Sequence, residues 1–498
     1  MRHRVATLLA VAALLVGACS PALPSGATPE SPEGSGRSSP GASGAPAAAG
    51  ELRDAVDVDA ILADLGALER LTMAAGGSRP AGSDGEARVD DFVINQLQAA
   101  GLEATRSELV VPWFRQVGPG ALEIHSPSAP TFEALADFKP LLFSPSGDVT
   151  GPVVALGFNP APSPGTTTGL GCDAADWAGF PEGAIALVQP GACLSRTVIE
   201  HAQAAGAAAV VRSYPDWTRG HVLRPTLLDP AGLTIPVIGV TNAVGVALAK
   251  AAAERATVRI ATATETTTRT AANLVFETRT GDRSRIVMLG AHLDSVIDGP
   301  GINDDGSGAM TVLEIGRRLA ALTTHRPVTA PLVRVAFWTG EELGLDGSSA
   351  WLGALSGFNR QAIAAYLNFD MLGSPNGVRE VAHWSAQGDP GAAGLEALFG
   401  RAFELEGLTW DFTAIASSDD LPFAEAGIPT GGLFAGHNTP KTAAQVARFG
   451  GVLGAPLDPC YHLACDTAAN IDPVLLGEMA RAAAWVTGYL ASGGPTGP

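Results

Sequence analysis

The chain has 498 residues, of which 46% are hydrophobic and 16% charged, and a formal net charge of −19 at pH 7. Such a length suggests two to four domains with a large core rather than one small domain. The acidic balance would repel a phosphate backbone, which argues against nucleic acid as a partner.

The N-terminus reads as a targeting segment. Arg2 and Arg4 precede an apolar run from Ala6 to Val16 that is too short to span a bilayer as a helix. It leads into Val16-Gly17-Ala18-Cys19, which resembles the lipobox of bacterial lipoproteins. That resemblance implies removal of residues 1–18 and diacylation of Cys19, hence a lipid anchor on the outer face of the cytoplasmic membrane. An ordinary cleaved secretory signal is the alternative, and both place the chain outside the cytoplasm. Residues 19–50 are mainly Pro, Ser, Gly and Ala and read as a flexible tether. No other stretch reads as transmembrane. With Cys19 lipidated, four of the five cysteines remain. They fall into two local pairs, Cys172–Cys193 and Cys460–Cys465, suited to disulfides in an oxidising compartment. The other two pairings would join distant segments.

Folded sequence is expected from about Glu51. Val56 to Met73 has helical spacing through Ile61, Leu65 and Leu68, and Ser83 to Ala100 predicts a second helix stopped by Gly101. Leu102 to Val111 reads as a strand, and 51–125 reads as the first part of a domain that the chain re-enters after an insert. From 126 to 266 short β runs such as Val153–Leu156, Ala184–Val188 and Ile235–Val240 alternate with Gly/Pro turns, around a helix at Ser195–Ala205. This stretch holds none of the metal-competent motifs and reads as an inserted domain. From 267 to 498 the pattern is strand, loop, helix. Arg285–Leu289, Leu332–Trp338 and Ala364–Phe369 are nearly continuous apolar strands, with a helix at Ser307–Leu322. The expected fold class is α/β, a mixed, mainly parallel sheet covered by helices on both faces.

Sites on such sheets form beyond the carboxyl ends of the strands, and His292, Glu341 and Asp370 all follow strands. With Asp304, Glu342 and His462 they make two imidazoles and four carboxylates. Five of the six can hold two borderline-soft divalent metals, and one carboxylate remains to move protons. Asp294, two residues beyond His292, could orient that imidazole. Asp304 lies among Gly301, Gly306 and Gly308 and can reach inward to bridge two metals; Asp305 could equally be a solvated turn residue and is kept out of the ligand set. Glu341 and Glu342 diverge at a strand end, so one can ligate while the other faces water as a base. Tyr461 beside His462 could donate to a developing oxyanion. The other histidines, His437 among them, lack motif neighbours and read as surface or structural.

Five runs carry a family resemblance: Gly290–Val296, Gly301–Gly308, Trp338–Leu345, Leu367–Asn376 and Cys460-Tyr461-His462. In this order they resemble the secreted bacterial double-zinc aminopeptidases of the Streptomyces type, relatives of the transferrin-receptor and glutamate carboxypeptidase group. The resemblance implies two zinc ions per chain, one on His292, Asp370 and Asp304, the other on Glu342, His462 and the same Asp304. It implies Glu341 as general base and Tyr461 as the group polarising the scissile carbonyl of a peptide substrate. Met371, Leu372 and Phe434 would line an apolar side-chain pocket suited to Leu-like N-terminal residues. The insert resembles a protease-associated domain through Gly171-Cys172, Gly191-Ala192-Cys193 and the Ala-rich helix leading into Val210-Val211, and it would cover or restrict the cleft.

Two departures stand out. Ser417 occupies a position where close relatives carry a substrate-holding Arg, and Gly477 and Arg481 replace acids of a calcium site in some relatives, so no such calcium site is expected. A carboxypeptidase on the same fold would need an Arg cluster beside these motifs, and a glutaminyl cyclase uses one metal. A non-catalytic surface receptor would have lost ligands that are all present here.

Overall fold

The computed structural model describes residues 45–126, 129–161, 169–214, 221–322, 330–388, 391–413 and 418–496. Cys19, the signal segment and Ser417 lie outside them. The first part of the catalytic domain comprises α1 (Ala45–Ala55), α2 (Val58–Ala74), α3 (Asp84–Ala100) and β1 (Glu103–Gln116). The insert follows as β2 (Ala121–His125), β3 (Phe138–Pro140), β4 (Gly147–Ala155), β5 (Ile185–Val188), α4 (Ser195–Ala204), β6 (Ala209–Ser213), β7 (Val237–Val240), α5 (Asn242–Ala253) and β8 (Thr257–Thr262). The chain then returns through β9 (Thr264–Glu277), β10 (Asp282–His292), α6 (Gly306–Leu322), β11 (Pro331–Trp338), α7 (Asp346–Ala354), α8 (Gly357–Gln361) and β12 (Ile363–Phe369). It ends with β13 (Glu380–Ala382), α9 (Ala392–Leu405), β14 (Asp411–Thr413), α10 (Leu421–Glu425), β15 (Thr430–Phe434), α11 (Ala443–Phe449) and α12 (Pro473–Ala491).

Local chemistry explains the early helices. The Ser83 side chain accepts from the Glu86 N–H at the start of α3, and Gly101 ends it at φ 96°, a left-handed position where Gly carries no Cβ penalty. Ile61, Leu65 and Leu68 recur on one face of α2 and are fully buried. Each contributes about 1.5–3 kcal/mol of burial free energy.

The catalytic sheet has eight strands in the order β1-β9-β11-β10-β12-β15-β13-β14. Pairings β10–β11, β10–β12, β12–β15 and β13–β14 are parallel; β1–β9, β9–β11 and β13–β15 are antiparallel. The expected mixed, mainly parallel class is therefore observed. One large apolar cluster joins α2, α3, α6, α9 and α12 to the sheet. His292 is the last residue of β10 and faces Trp338, the last of β11, while Asp370 directly follows β12. Register thus brings three motifs to one sheet edge.

Two expected boundaries are corrected. The tether does not run to residue 50. Ala45 begins α1, which buries Ala45, Ala49 and Leu52 and packs along α12. Small residues that look like tether in sequence suit a close helix–helix contact: a Cβ on Gly488 of α12 would sit 3.1 Å from Ala49 Cα. The insert also begins earlier than 126. β2 pairs with β8 in the separate seven-stranded sheet β2-β8-β4-β5-β6-β7-β3, so Ala121–His125 belongs to it. Cross-strand pairing decides this membership, and local sequence does not display it.

The two domains are packed together. Phe114 and Leu343 of the catalytic domain share a buried cluster with Leu141, Phe143 and Leu227 of the insert. Arg224 and Lys139 of the insert converge on Asp298 at 3.1 and 3.4 Å. The Cys172–Cys193 bridge lies within the insert, and Cys460–Cys465 closes the loop carrying Tyr461 and His462.

Candidate metal centre

The strand-end loops hold their carboxylates through backbone N–H groups. Asp305, expected as a solvated turn residue, is instead fully buried and does this for three motifs at once. Its Oδ2 accepts from His292 N at 3.2 Å, and its Oδ1 accepts from Gly308 N at 2.9 Å and Met371 N at 3.1 Å. Asp466 accepts from the N–H of Asn303 and of Asp304, at 2.8 and 3.1 Å. The Asn303 side chain donates to Ser374 and Asp458 and accepts from Gly373 N. Met371 and His462 both have left-handed backbones, φ 53° and 60°, a strain of roughly 1–3 kcal/mol each. The Asp305 contact holds the first, and the disulfide-closed loop carries the second.

Asp304 sits between two imidazoles. Its Oδ1 lies 3.3 Å from His292 Nε2, and its Oδ2 lies 3.1 Å from His462 Nε2. Glu342 Oε2 is 3.2 Å from the same His462 nitrogen. Asp370 Oδ1 and Glu341 Oε2 approach His292 Nε2 at 3.8 and 3.9 Å. Tyr461 stacks on the His462 ring with centroids 3.8 Å apart. His292, Asp304, Glu341, Glu342, Asp370, Tyr461 and His462 are therefore gathered in one cluster.

Burial pushes the Glu341 carboxyl well above its usual range and the Asp370 carboxyl up to about 7. Burial also opposes charge on Asp304, yet its contacts with His292 and His462 hold that carboxyl below the normal range. Tyr461 is raised well above its usual value by burial and by the surrounding carboxylates, so its hydroxyl stays protonated as a donor.

The residues fit a pair of divalent cations. His292 Nε2, Glu342 Oε1 and Asp370 Oδ1 are buried with no hydrogen-bond partner, which is costly unless a cation is bound. Ligand-capable atoms fall into two groups, His292 with Asp305 and Asp370, and Asp304 with Glu342 and His462. The first group differs from the ligand set implied by the resemblance, with Asp305 in place of Asp304. The backbone donors already engaging both Asp305 oxygens leave Asp304, whose two oxygens face opposite imidazoles, as the freer carboxylate.

Other sequence expectations meet different outcomes. Asp294 touches His292 and a second motif together. Its backbone carbonyl lies 3.0 Å and its Oδ1 3.6 Å from His292 Nδ1, and its carboxylate also accepts from Glu341 N and Glu342 N at 3.2 and 3.3 Å. It ties the His292 ring to the Glu341–Glu342 turn. Met371 and Phe434 line the cavity beside the cluster, but Leu372 does not. It is fully buried in the main core. His437 lines the cavity, with its ring centroid 5.5 Å from that of Tyr461. Arg79 had no motif to mark it. It is fully buried and donates to the carbonyls of Leu293, Pro300 and Gly301, tying the His292 and Asp304 loops together.

Comparison with known proteins agrees with this geometry. Residues 273–487 match the model of peptidase family M28, and residues 149–248 match the PA domain. An aminopeptidase of Pseudomonas aeruginosa is 37% identical over 433 residues, covering 85% of this chain and 79% of its own. The "Probable lipoprotein aminopeptidase LpqL" of Mycobacterium tuberculosis is 35% identical over 470 residues, covering 91% and 89%. Among solved structures, an aminopeptidase from Aneurinibacillus sp. strain AM-1 shares the fold with a TM-score of 0.69 at 23% identity, covering 89% and 96%. The chain belongs to peptidase family M28, as a metallo-aminopeptidase with an inserted PA domain.

Proposed function

We propose that the enzyme holds two zinc ions, one on His292, Asp304 and Asp370 and the other on Asp304, Glu342 and His462, and removes apolar, Leu-like N-terminal residues from peptides. The observation that carries this is Asp304, with one oxygen toward each imidazole. Imidazole and carboxylate donors in this number suit zinc. When bound, the metals supply Lewis acidity and lower the pKa of water.

The chain's own groups do the rest. Glu341 takes a proton from the attacking water as its oxygen bonds to the carbonyl carbon. It then hands that proton to the leaving nitrogen as the C–N bond breaks. The Tyr461 hydroxyl donates to the carbonyl oxygen as negative charge grows there. Glu341 and Asp370 oxygens receive the free α-ammonium, which restricts the enzyme to chain ends. Met371 and Phe434 with Leu433 and Leu457 give the side-chain cavity its apolar walls. The insert walls one side of the cleft, where Phe143 and Arg224 border a cavity of about 230 Å3 that also touches Glu342 and His462.

Leucine p-nitroanilide, its N-acetylated analogue, a chelator and zinc test this reading. We expect cleavage of the free-amine substrate alone, lost on chelation and restored by zinc. Equal cleavage of the acetylated substrate, or indifference to chelation, would refute it.

We further propose that the enzyme is anchored outside the cytoplasm through a lipid on Cys19. Two disulfides, the Val16–Cys19 motif and a relative named as a probable lipoprotein support this. Among the described residues no helix is long and apolar enough to cross a membrane. The Cys19→Ser chain is expected to move from the detergent phase to the aqueous phase on Triton X-114 partition; no change would exclude the anchor.

A further inference from the structure

We propose that the side-chain pocket takes basic as well as apolar N-terminal residues, with the Glu380 carboxylate receiving the ammonium of lysine or the guanidinium of arginine. This rests on the aminopeptidase reading of the same site.

The pocket is a cavity of about 360 Å3 that begins at Glu341, Asp370 and Tyr461. Its walls include Met371, Leu433, Phe434 and Leu457, and its lining also includes Glu380, Thr413 and Gln445. Sheet order decides how far Glu380 lies from the chemistry. β15 and then β13 follow β12 outward, and two strand spacings amount to about 10 Å. Glu380 pairs with Phe434 across β13–β15, so it stands at the strand end bordering the pocket. A long side chain can reach it from the α-carbon position, and a leucine cannot.

Glu380 is 9% exposed, and its contacts are neutral. Gln445 Nε2 donates to it at 3.5 Å, and the Thr413 hydroxyl contributes a second contact. Nearby cations are engaged elsewhere. Arg448 pairs with Asp411, Arg379 with Glu478, and Lys441 donates to the carbonyls of Asn376 and Gly377. Asp420, the other lining carboxylate outside the metal cluster, accepts from Trp384 Nε1 and Ser418 N. Burial and the neighbouring Asp411 raise the Glu380 carboxyl to about 7, so an incoming cation would relieve its desolvation. Covering this carboxylate with a purely apolar side chain would deepen the penalty. Apolar walls leading to a buried acid match the stem and head of lysine or arginine. The competing possibility is that Glu380 merely anchors Gln445 of α11.

The test compares kcat/KM of the full chain for lysine, arginine and leucine p-nitroanilides in the native protein, Glu380→Gln and Glu380→Asp. The native enzyme is expected to cleave all three. Glu380→Gln is expected to lower the Lys/Leu and Arg/Leu ratios by about 10-fold or more, and Glu380→Asp, which keeps the charge, by less. Each ratio is internal to one preparation, so partial misfolding cannot mimic the effect. Unchanged ratios, equal loss in both variants, or a native enzyme that cleaves leucine but not lysine anilide would overturn the proposal. Failure on all three anilides would overturn the aminopeptidase reading, and the pocket assignment with it.

Discussion

Replacing Glu341 with Gln is expected to lower kcat by about 10²–10⁴-fold, the range for loss of a positioned proton-transfer group, while leaving metal content and melting temperature close to native. The two glutamates separate by environment. Glu342 shares His462 Nε2 with Asp304 at 3.2 and 3.1 Å, whereas Glu341 lies 3.9 Å from its nearest imidazole and lines the cavity beside the cluster. Both turn N–H groups are held by Asp294 rather than by the Glu341 side chain, so the amide leaves the turn intact. The isosteric amide cannot accept the proton. Metal analysis beside single-turnover kinetics checks this. A variant within about 3-fold of native kcat, or one that has lost a metal, would move the base to another residue.

The second large effect is expected at a residue that touches no substrate. Arg79→Met should destabilise the protein by roughly 3–5 kcal/mol and depress activity as well. The side chain is fully buried and donates to three carbonyls of two loops. Methionine fills much of the volume but leaves those acceptors unsatisfied. It also removes the positive charge that offsets Asp466, Asp294, Asp305 and Asp304. Thermal unfolding should shift down by several degrees, with reduced zinc retention on dialysis because the His292 and Asp304 loops lose their tie. Native melting temperature and zinc retention together would show that the Asp305 and Asp466 contacts hold those loops without it.

Much of the site was legible because its candidate ligands sit in short runs, several at the ends of apolar strands, where local pattern and chemistry coincide. The helices over 58–74 and 84–100 announced themselves through period and capping. The two cysteine pairs were close enough in sequence for proximity to favour their pairing.

What remained hidden depends on partners far along the chain. Residues 45–50 become helix because α12 lies against them, and β2 joins the insert because β8, more than 130 residues later, pairs with it. Asp294 turned out to serve the Glu341–Glu342 backbone as well as His292, Leu372 the core, and Arg79 the loops, roles set by which atoms lie nearby in space.

The sequence by itself determined the metal-competent donors, the strand ends that carry several of them, and the fold class. These follow from residue type and local periodicity, which act within a few residues. Only the tertiary structure decided which oxygen of Asp304 faces which imidazole, which carboxylates are occupied by backbone donors, and that Glu380 borders the cavity beside the cluster with no cation paired to it among the described residues. Those outcomes depend on strand order and register, through which residues hundreds of positions apart come within hydrogen-bonding distance.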